Sequence, residues 1–381
     1  MNKPHRPIRV LVVDDSPFIR MSLKKILSRD SDIEVVDTAR DGREGILKLQ
    51  ALKPDVVTLD VEMPVMNGLQ ALEEIMRWQP TPIIVLSSVT TDGAKLTMKA
   101  FDLGAVEVVA KPSGQQGDDL LALSEDIVLK VKNVAGIDTS RLHKREIEIP
   151  KTTAPESRFT GILKNETAAS IDPHDPVKTS GKQSLLPRNK IEVVGIGTST
   201  GGPTALQIVL NKLPKDIPVP VIVAQHMPAG FTAPLAARLN GLCQVVVKEA
   251  EDGEVLKPGT VYIGPSGKQF QIRKTKNELL AHISTESPIS TLYKPSVDVM
   301  FMSLAREVGA GVLGIVMTGM GNDGLNGIKN LKTQGAFTIA ESEKTCIVYG
   351  MPRSIVDAGL ADRVELLQDI GKVIIDCVNR R

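Results

Sequence analysis

The chain repeats one hydrophobic rhythm twice, and this rhythm limits the folds that it can adopt. From Ile8 to about Lys132, short runs rich in Val and Ile alternate with amphipathic stretches of helical period. The runs are IRVLVVDD, DIEVVDTA, DVVTLD, PIIVLSS and VEVVAK. Such alternation is typical of βαβ units, in which helices cover both faces of a parallel sheet. We predict a five-stranded, parallel, doubly wound sheet for this half of the chain.

A second α/β alternation begins at Ile191 and continues close to the C-terminus. Its apolar runs are IEVVGIG, VPVIVAQH, QVVVKEA, GVLGIVMTG and FTIAES. Between the third and fourth runs, Gly and Pro turn signals interrupt the segment from EDGEVLKPGTVYIG to LLAHIS, which predicts antiparallel hairpins inserted in the sheet. The predicted fold class is therefore α/β, with a mostly parallel sheet and an inserted antiparallel hairpin region in the second domain.

A segment of different composition separates the two regions. Between roughly 133 and 189 the chain is rich in Thr, Ser, Lys, Glu and Pro and has few large apolar residues. Such a segment buries too little apolar surface to offset its ordering entropy, so we expect a flexible polar linker. The 381 residues suffice for two domains with separate cores. We place the first domain at 1–132, the linker at 133–189 and the second domain at 190–381.

Charge, hydropathy and cysteine spacing argue against several classes of protein. The formal net charge is +1 and no long Lys/Arg block is present, so we expect no nucleic-acid binding. No run of eighteen apolar residues occurs, and the first apolar run ends in two acids; we therefore expect a cytoplasmic protein that is not inserted in a membrane. Cys243, Cys346 and Cys377 are far apart, which favours buried reduced thiols over disulfides or a metal site.

Charged and hydroxyl side chains end four of the five strands predicted in the first domain: Asp14 and Asp15, Asp60, Ser87, and Lys111. The carboxyl ends of strands in a doubly wound sheet line one crevice, so we expect these groups to converge there. Three carboxylates repel one another unless a hard cation such as Mg²⁺ neutralises them. A single Asp at a strand end more often serves a turn. The whole set favours phosphoryl transfer to Asp60, with the metal and Lys111 neutralising the phosphoryl oxygens.

At this point the first domain resembles a known family. The DDS run, the LDVEMPVMNG segment around Asp60, and the Lys111-Pro112 pair are similar to the receiver domain of bacterial response regulators. The resemblance implies a flavodoxin-like fold and phosphorylation of Asp60 by a partner histidine kinase.

The same resemblance implies the surroundings of the phosphorylated group. Mg²⁺ would be held by Asp15, Asp60 and the backbone carbonyl of Glu62, and Ser87 would turn toward the phosphoryl group. Many receivers carry Phe or Tyr three residues before the lysine as a rotameric switch, but this chain has Val108 there. We therefore expect the aromatic half of that switch to be missing.

In the second domain, the first predicted strand runs directly into a glycine-rich turn that contains Ser199. Residues Gly197 to Gly201 fit G-x-S-x-G, in which a nucleophilic serine occupies a tight strand-to-helix turn. Taken alone, this match is weak, because Ser199 could equally be a helix cap.

A base and an acid follow two other predicted strands of this domain. Of the five histidines, only His226 follows a buried-looking parallel strand; the others are His5, His143, His174 and His282. Asp323 follows the strand GVLGIVMTG within a Gly-rich turn. Alone, His226 could be a structural hydrogen-bonding residue and Asp323 a helix cap. Together with Ser199 they favour a triad in which His226 is the base and Asp323 orients it.

Two observations refine this hypothesis. The chain order Ser, His, Asp differs from the Ser, Asp, His order of α/β-hydrolases, so a different fold should carry the triad. The rival interpretation is a dinucleotide site, because Gly195, Gly197 and Gly201 approach G-x-G-x-x-G. They miss that spacing by one residue, and no ribose-binding acid ends the next strand.

The arrangement as a whole resembles the chemotaxis protein-glutamate methylesterases. The motifs that carry the resemblance are GTSTGG, QHMP, SVDVMF, TGMGNDG and YGMPR, in this order after a receiver domain. The resemblance implies hydrolysis of glutamyl γ-methyl esters, and deamidation of glutamines, on cytoplasmic helices of methyl-accepting chemoreceptors. It assigns the triad to Ser199, His226 and Asp323 and an oxyanion site to the backbone N–H groups near Thr200 and Met320. A chemotaxis histidine kinase would be the phosphodonor, and the catalytic domain would need no cofactor.

We further hypothesise that the unphosphorylated receiver covers the catalytic crevice and that phosphorylation of Asp60 favours an open enzyme. Two alternatives of other classes remain open on the sequence. One is a response-regulator transcription factor, although no basic helix-turn-helix is apparent after the linker. The other is a non-catalytic protein that docks on receptors.

Overall fold

A computed structural model of the chain describes residues 6–111, 117–140, 186–276 and 278–380. Several sequence-based expectations concern residues outside these ranges: Pro112, His5, His143, His174 and most of the predicted linker, 141–185. The boundaries at 132/133 and 189/190 therefore stay predictions. In the described part of the chain, no helix is both long enough and apolar enough to span a membrane.

The N-terminal domain contains the predicted parallel sheet. Its strands are β1 (Ile8–Val13), β2 (Ile33–Ala39), β3 (Val56–Asp60), β4 (Ile83–Ser87) and β5 (Glu107–Ala110), in the order β2-β1-β3-β4-β5. Its described helices are α1 (Pro17–Leu27), α2 (Gly42–Leu52), α3 (Gly68–Trp78), α4 (Thr91–Asp102) and α5 (Gly117–Val134). Every pairing is parallel, which confirms the five-stranded doubly wound sheet and leaves β5 as an edge strand.

Local sequence explains where four of these helices begin. The N-cap residues of α1 to α4 are Ser16, Asp41, Asn67 and Thr90, and each side chain accepts a hydrogen bond from a backbone N–H of the first turn. Short oxygen-bearing side chains are the preferred N-caps because they satisfy N–H groups that have no partner in the helix. The capped ends of α1, α3 and α4 follow β1, β3 and β4, so they border the crevice with the acidic residues.

The C-terminal domain is built on a parallel sheet with the strand order β14-β13-β12-β6-β7-β9-β8. These strands are β6 (Val193–Thr198), β7 (Val221–Gln225), β8 (Val246–Glu249), β9 (Thr260–Ile263), β12 (Val312–Val316), β13 (Phe337–Glu341) and β14 (Arg363–Glu365). The described helices of this domain are α6 (Gly202–Leu210), α7 (Thr232–Leu242), α8 (Val297–Glu307), α9 (Leu325–Thr333), α10 (Met351–Asp357) and α11 (Leu367–Val378). A separate antiparallel hairpin consists of β10 (Gln269–Lys274) and β11 (Leu279–Ser284).

The inserted hairpin is thus confirmed, but two details of this region differ from the expectation. The hairpin forms its own two-stranded sheet, and β9, which we expected within the hairpins, pairs in parallel with both β7 and β8. Three consecutive residues of β9, Val261, Tyr262 and Ile263, are buried. A strand with both faces covered does not show the alternation of a hairpin strand, and the turn residues around it concealed its role.

The strand order places the predicted site at the centre of the main sheet. Strand β6 lies between β7 and β12, so the turns after these three neighbouring strands share one carboxyl edge. The chain moves from β6 to β7 on one side and reaches β12 on the other, which makes this point a topological switch. Ser199 follows β6, His226 follows β7, and Asp323 follows β12.

The two domains are in contact through the edge of the N-terminal sheet. Helix α4 packs against α6 and α7, and the side chain of Arg238 on α7 pairs with Asp102 at the end of α4. Near the edge strand β5, the hydroxyl of Thr200 donates a hydrogen bond of 2.7 Å to the carboxylate of Glu107. Both Glu107 and Thr200 are buried. The N-terminal domain therefore touches the residue that directly follows Ser199.

Candidate active site

Ser199 occupies a tight turn that only glycines allow. Gly201 has φ +77°, the left-handed region that favours glycine. A Cβ atom on Gly202 would lie 2.0 Å from Oε1 of Gln225, and one on Gly319 would lie 2.9 Å from Cβ of Ser199. The glycines around the serine thus permit close approach of three backbone segments.

Gln225, the last residue of β7, ties the serine turn to the histidine turn. Its amide nitrogen donates to the carbonyl of Ser199 at 3.0 Å and to the carbonyl of His226 at 2.8 Å. The N–H of His226 in turn donates to the carbonyl of Thr198 at 3.1 Å. No sequence motif indicated this role of Gln225, although the residue directly precedes His226.

His226 and Asp323 form the predicted pair. Nε2 of His226 lies 2.8 Å from Oδ2 of Asp323, and both side chains are almost fully buried. The other ring nitrogen, Nδ1, is buried and has no hydrogen-bond partner among the described residues. His226 and Ser199 line the same cavity. Nδ1 is therefore the ring nitrogen that the pair with Asp323 leaves unused, whereas in the usual triad the acid faces Nδ1.

Asp323 is held at the N-terminus of α8. Its carboxylate accepts hydrogen bonds from the hydroxyl of Ser296 (2.9 Å) and from the backbone N–H groups of Val297 (2.7 Å) and Asp298 (3.0 Å). Burial by itself raises the pKa of Asp323, but His226 and these donors outweigh burial and hold the pKa below its ordinary value. The partial positive charge of a helix N-terminus also favours an anion there. Asp323 is thus kept ionised opposite the imidazole.

Asp298 makes the reciprocal contact. This buried residue of α8 accepts hydrogen bonds from the N–H groups of Gly324 (3.0 Å) and Gly327 (2.7 Å), at the start of α9. Burial raises the pKa of Asp298, and the charge of Asp323 adds to the rise. The N-terminus of α8 therefore binds the carboxylate of Asp323, which precedes α9, and the N-terminus of α9 binds the carboxylate of Asp298, which belongs to α8. Ser296 and Asp298 belong to the SVDVMF motif, which could have indicated that they matter for the site. Their hydrogen-bonding roles become visible only in the three-dimensional structure.

The backbone N–H groups of Thr200 and Met320 are the expected oxyanion donors. Their neighbours Ser199 and Gly319 donate to the carbonyls of Thr318 (3.0 Å) and Val348 (3.1 Å). No such carbonyl partner is found for the N–H groups of Thr200 and Met320 in the described part of the chain. Both residues line the cavity that contains Ser199, and their role as oxyanion donors stays a prediction.

The glycines of the rival dinucleotide interpretation have a packing role. Gly195 and Gly197 lie inside β6, beneath α8. A Cβ atom on Gly195 would lie 2.8 Å from a methyl group of Leu304, and one on Gly197 would lie 2.2 Å from a methyl group of Val297. These two glycines allow α8 to approach the sheet, which brings its N-terminus to Asp323.

The cavity around Ser199 lies between the two domains and has a volume of about 570 Å³. The C-terminal domain contributes Ser199 and His226, and the N-terminal domain contributes Glu107, Lys111 and Lys130. Lys130 also donates a hydrogen bond of 2.6 Å to the carbonyl of Val108 and lies 3.7 Å from the carboxylate of Glu107. No motif indicated Glu107, because its partner Thr200 is 93 residues away in the chain.

The predicted acidic cluster is present in the N-terminal domain. Carboxylate oxygens of Asp14, Asp15 and Asp60 lie within 4.8 Å of one another. Nζ of Lys111 lies 2.9 Å from Asp14 and 2.7 Å from Asp60. Burial raises the pKa of Asp60 to about 6, although Lys111 opposes the rise. Burial would lower the pKa of Lys111, but its pairing with Asp60 and Asp14 raises it overall.

This cluster fits a hard divalent cation. One ammonium group faces three carboxylates, which leaves an excess of negative charge, and oxygen donors are the ligands that Mg²⁺ prefers. The backbone of Glu62 lies beside the cluster, since its N–H donates to Asp60 at 3.2 Å. The receiver resemblance together with this donor set indicates Mg²⁺ binding through the acidic residues.

Ser87 and Val108 complete the set of predicted receiver residues. The hydroxyl of Ser87 donates to the carbonyl of Gly93 at 3.1 Å, so in this conformation it is engaged with the first turn of α4. Val108 is fully buried inside β5. An aliphatic side chain packed in a strand offers no aromatic ring that could swing between two orientations, in agreement with the expectation for this position.

Comparison with known proteins supports both halves of this description. The response regulator receiver domain family matches residues 10–122, and the CheB methylesterase family matches residues 194–374. A protein-glutamate methylesterase/protein-glutamine glutaminase of Desulfitobacterium hafniense is 56% identical and covers 100% of both chains. The protein-glutamate methylesterase/protein-glutamine glutaminase 1 of Oleidesulfovibrio alaskensis is 44% identical over 97% of this chain and 99% of the relative.

Among solved structures, the Thermotoga maritima CheB methylesterase catalytic domain is 38% identical, with a TM-score of 0.48 over 49% of this chain and 99% of that chain. The full-length relatives decide the assignment, because they match both domains in one alignment. This chain is therefore an enzyme of the protein-glutamate methylesterase/protein-glutamine glutaminase family, with a response regulator receiver domain joined to a CheB methylesterase domain.

Proposed function

We propose that this protein hydrolyses γ-methyl esters of glutamate side chains, and the side-chain amides of selected glutamines, on cytoplasmic helices of methyl-accepting chemoreceptors. The observation that carries the proposal is the His226–Asp323 pair, which leaves one ring nitrogen of His226 without a partner in a residue that lines the same cavity as Ser199. The family names of the relatives supply the substrate class.

The first half of the reaction forms an acyl-enzyme. The hydroxyl oxygen of Ser199 attacks the ester carbonyl carbon while Nδ1 of His226 takes the hydroxyl proton. The carbonyl oxygen becomes an oxyanion, and the N–H groups of Thr200 and Met320 donate to it. Collapse of the tetrahedral intermediate breaks the bond to the methoxy group. The methoxy group takes the proton from His226 and leaves as methanol, or as ammonia when the substrate is a glutamine.

The second half of the reaction consumes water. His226 removes a proton from a water molecule, which attacks the acyl carbon, and the bond to Ser199 breaks as the proton returns to its oxygen. Asp323 remains ionised throughout and stabilises the imidazolium, in keeping with its lowered pKa. The products are a free glutamate carboxylate and regenerated Ser199.

Regulation is proposed to act through Asp60. A chemotaxis histidine kinase would phosphorylate its carboxylate, and Mg²⁺ held by Asp14, Asp15, Asp60 and the carbonyl of Glu62 would neutralise charge on the phosphoryl group. Lys111 already faces Asp60 and would pair with the same group. We assign Ser87 the second switch contact, which requires its hydroxyl to leave the Gly93 carbonyl.

The link between the two sites is the contact between the domains. In this structure the N-terminal domain contributes one wall of the cavity around Ser199, and Glu107 holds the side chain of Thr200. A receptor helix would need that space, and we assign the conformation seen here to the covered state of this hypothesis. Phosphorylation would shift the equilibrium toward a separated pair of domains, joined by the linker at 133–189. We propose a cytoplasmic location, since the receptor helices and the phosphodonor of this proposal are cytoplasmic.

Methanol release from methylated receptor membranes tests the proposal directly. We expect wild-type protein to release methanol faster after treatment with acetyl phosphate and Mg²⁺, and Ser199→Ala to lose at least about 10⁴-fold in rate. Ser31→Ala, at an exposed serine outside the cavity around Ser199, serves as the matched control and should keep its activity. Demethylation by Ser199→Ala at near the wild-type rate would disprove the assignment.

A further inference from the structure

The residue that stands out beyond the triad is Tyr293, in the segment between the β10–β11 hairpin and α8. Its ring lies flat against the imidazole of His226, with the ring centroids 4.0 Å apart and the planes at 5°. Tyr293 also lines the cavity that contains Ser199. An imidazole has two faces and one soft torsion, so a flat neighbour on one face restricts the rotation of the ring.

The position of Tyr293 is itself fixed by a fully buried side chain. The amide nitrogen of Gln269 on β10 donates to the carbonyl of Tyr293 at 2.9 Å, and its amide oxygen accepts from the N–H of Ser296 at 2.9 Å. Ser296 then donates its hydroxyl to Asp323. One short segment, 293–298, therefore reaches the base through Tyr293 and the acid through Ser296, Val297 and Asp298.

This arrangement matters because of the reversed use of the ring nitrogens. Nε2 bonds to Asp323, which leaves the unpartnered Nδ1 as the nitrogen for the proposed proton transfer, and a rotation of the imidazole would disturb both nitrogens at once. The hydrogen bond to Asp323 fixes the position of Nε2, but the plane of the imidazole can still tilt about this atom. Contact with a coplanar ring opposes this remaining rotation.

We propose that Tyr293 is a positioning residue of the esterase: its ring holds the imidazole of His226 in the plane that keeps Nε2 on Asp323 and leaves Nδ1 available to the hydroxyl of Ser199. The electron-rich face of the ring also stabilises the positive charge that the imidazole carries after it accepts the serine proton. The inference rests on the proposed function, because it assigns His226 the role of base.

A role of the Tyr293 ring and a role of its hydroxyl predict different effects of substitution. Tyr293→Phe keeps the flat ring, so its kcat should stay within about twofold of wild type. Tyr293→Leu keeps apolar bulk without a flat face, and its kcat should fall about 10-fold to 100-fold, as expected for a misaligned catalytic group. The KM for methylated receptor should change less than about twofold in both variants, because alignment of the base acts on the chemical step.

The experiment compares full-length wild type, Tyr293→Phe, Tyr293→Leu and Ser199→Ala after treatment with acetyl phosphate and Mg²⁺. Methanol release gives kcat and KM, the rate of covalent labelling by a fluorophosphonate reports the reactivity of Ser199, and thermal unfolding verifies that each variant folds. We expect labelling of Tyr293→Leu to fall in parallel with kcat.

Several results would overturn the inference. Wild-type kcat in Tyr293→Leu would show that the ring is dispensable, and equal losses in Phe and Leu variants would assign the effect to the hydroxyl. If the Leu variant does not fold, Tyr293→His decides, because it keeps a smaller flat ring and should retain at least about a third of kcat. If Ser199→Ala remains active, the triad assignment is wrong. If Ser199→Ala is inactive while Tyr293→Leu has wild-type kcat, only the role proposed for Tyr293 is wrong.

Discussion

The two domains place reactive side chains at the same location, the carboxyl edge of a parallel sheet, but they treat their carboxylates in opposite ways. In the N-terminal domain three carboxylates lie together, only two of them pair with Lys111, and burial raises the pKa of Asp60 to about 6. In the C-terminal domain Asp323 receives a histidine, a hydroxyl and two backbone N–H groups, and its pKa is lowered.

The difference reflects what each site must do. A phosphoacceptor site needs unsatisfied negative charge, because the incoming phosphoryl group arrives with a cation that the excess charge attracts. A triad acid needs the reverse, since its single charge must remain in place while the imidazole gains and loses a proton. The same kind of sheet edge therefore supplies either a cation site or a saturated anion site, depending on how many hydrogen-bond donors the carboxylate receives.

The largest effect on activity should come from removing the charge of Asp323, the carboxylate that is saturated with hydrogen-bond donors. Asp323→Asn keeps the shape of the side chain but takes away the anion opposite His226, so kcat/KM should fall by about 10³-fold to 10⁴-fold. The measurement is methanol release from methylated receptor membranes. Activity within tenfold of wild type would mean that Asp323 is only a structural anchor for α8.

An intermediate effect should come from Asp298, the carboxylate at the start of α9. Asp298→Ala leaves the N–H groups of Gly324 and Gly327 buried without an acceptor, and we expect the free energy of unfolding to fall by roughly 2 to 4 kcal/mol. Urea denaturation measures this loss. Asp357→Ala, at an exposed position of α10, is the matched control and should change stability by less than about 0.5 kcal/mol.

The smallest effect, and one of opposite sign, should come from the receiver site. In protein freed of metal with a chelator, Asp60→Asn removes one of three crowded charges and should stabilise the fold at neutral pH by roughly 1 to 3 kcal/mol. The folded-state pKa of Asp60 is raised above its ordinary value of 3.8 to about 6. The stability that Asp60 contributes is therefore present below pH 4 and is lost as the pH rises to about 6.

Urea denaturation of both proteins across pH 4 to 7 tests this sign, and saturating Mg²⁺ should shrink the difference between them. The same variant should keep basal methanol release and lose its response to acetyl phosphate. A variant less stable than wild type at pH 7 without metal would show that the two sites treat their carboxylates alike.

Most strands of both sheets and most of the candidate site residues could be predicted from the sequence, because the signals for them lie in short segments of the chain. Buried parallel strands show continuous apolar runs, and the residues that end them are known once the runs are located. Asp14, Asp60, Ser199, His226 and Asp323 were all found this way, because the topology of such a sheet brings strand ends to one edge. The strand β9 was misplaced within the hairpin region, and the short strand β14 was not predicted, since neither has a distinctive pattern.

Only the tertiary structure could decide how these side chains are supported. Glu107 meets Thr200, Asp298 meets Gly327, and Tyr293 meets His226 across distances of 93, 29 and 67 positions in the chain. The choice of Nε2 for Asp323 was equally out of reach of the sequence. Which residues can react follows from where strands end, a local property of the chain. Their alignment and charge depend on which helix ends, rings and carboxylates the packing brings against them.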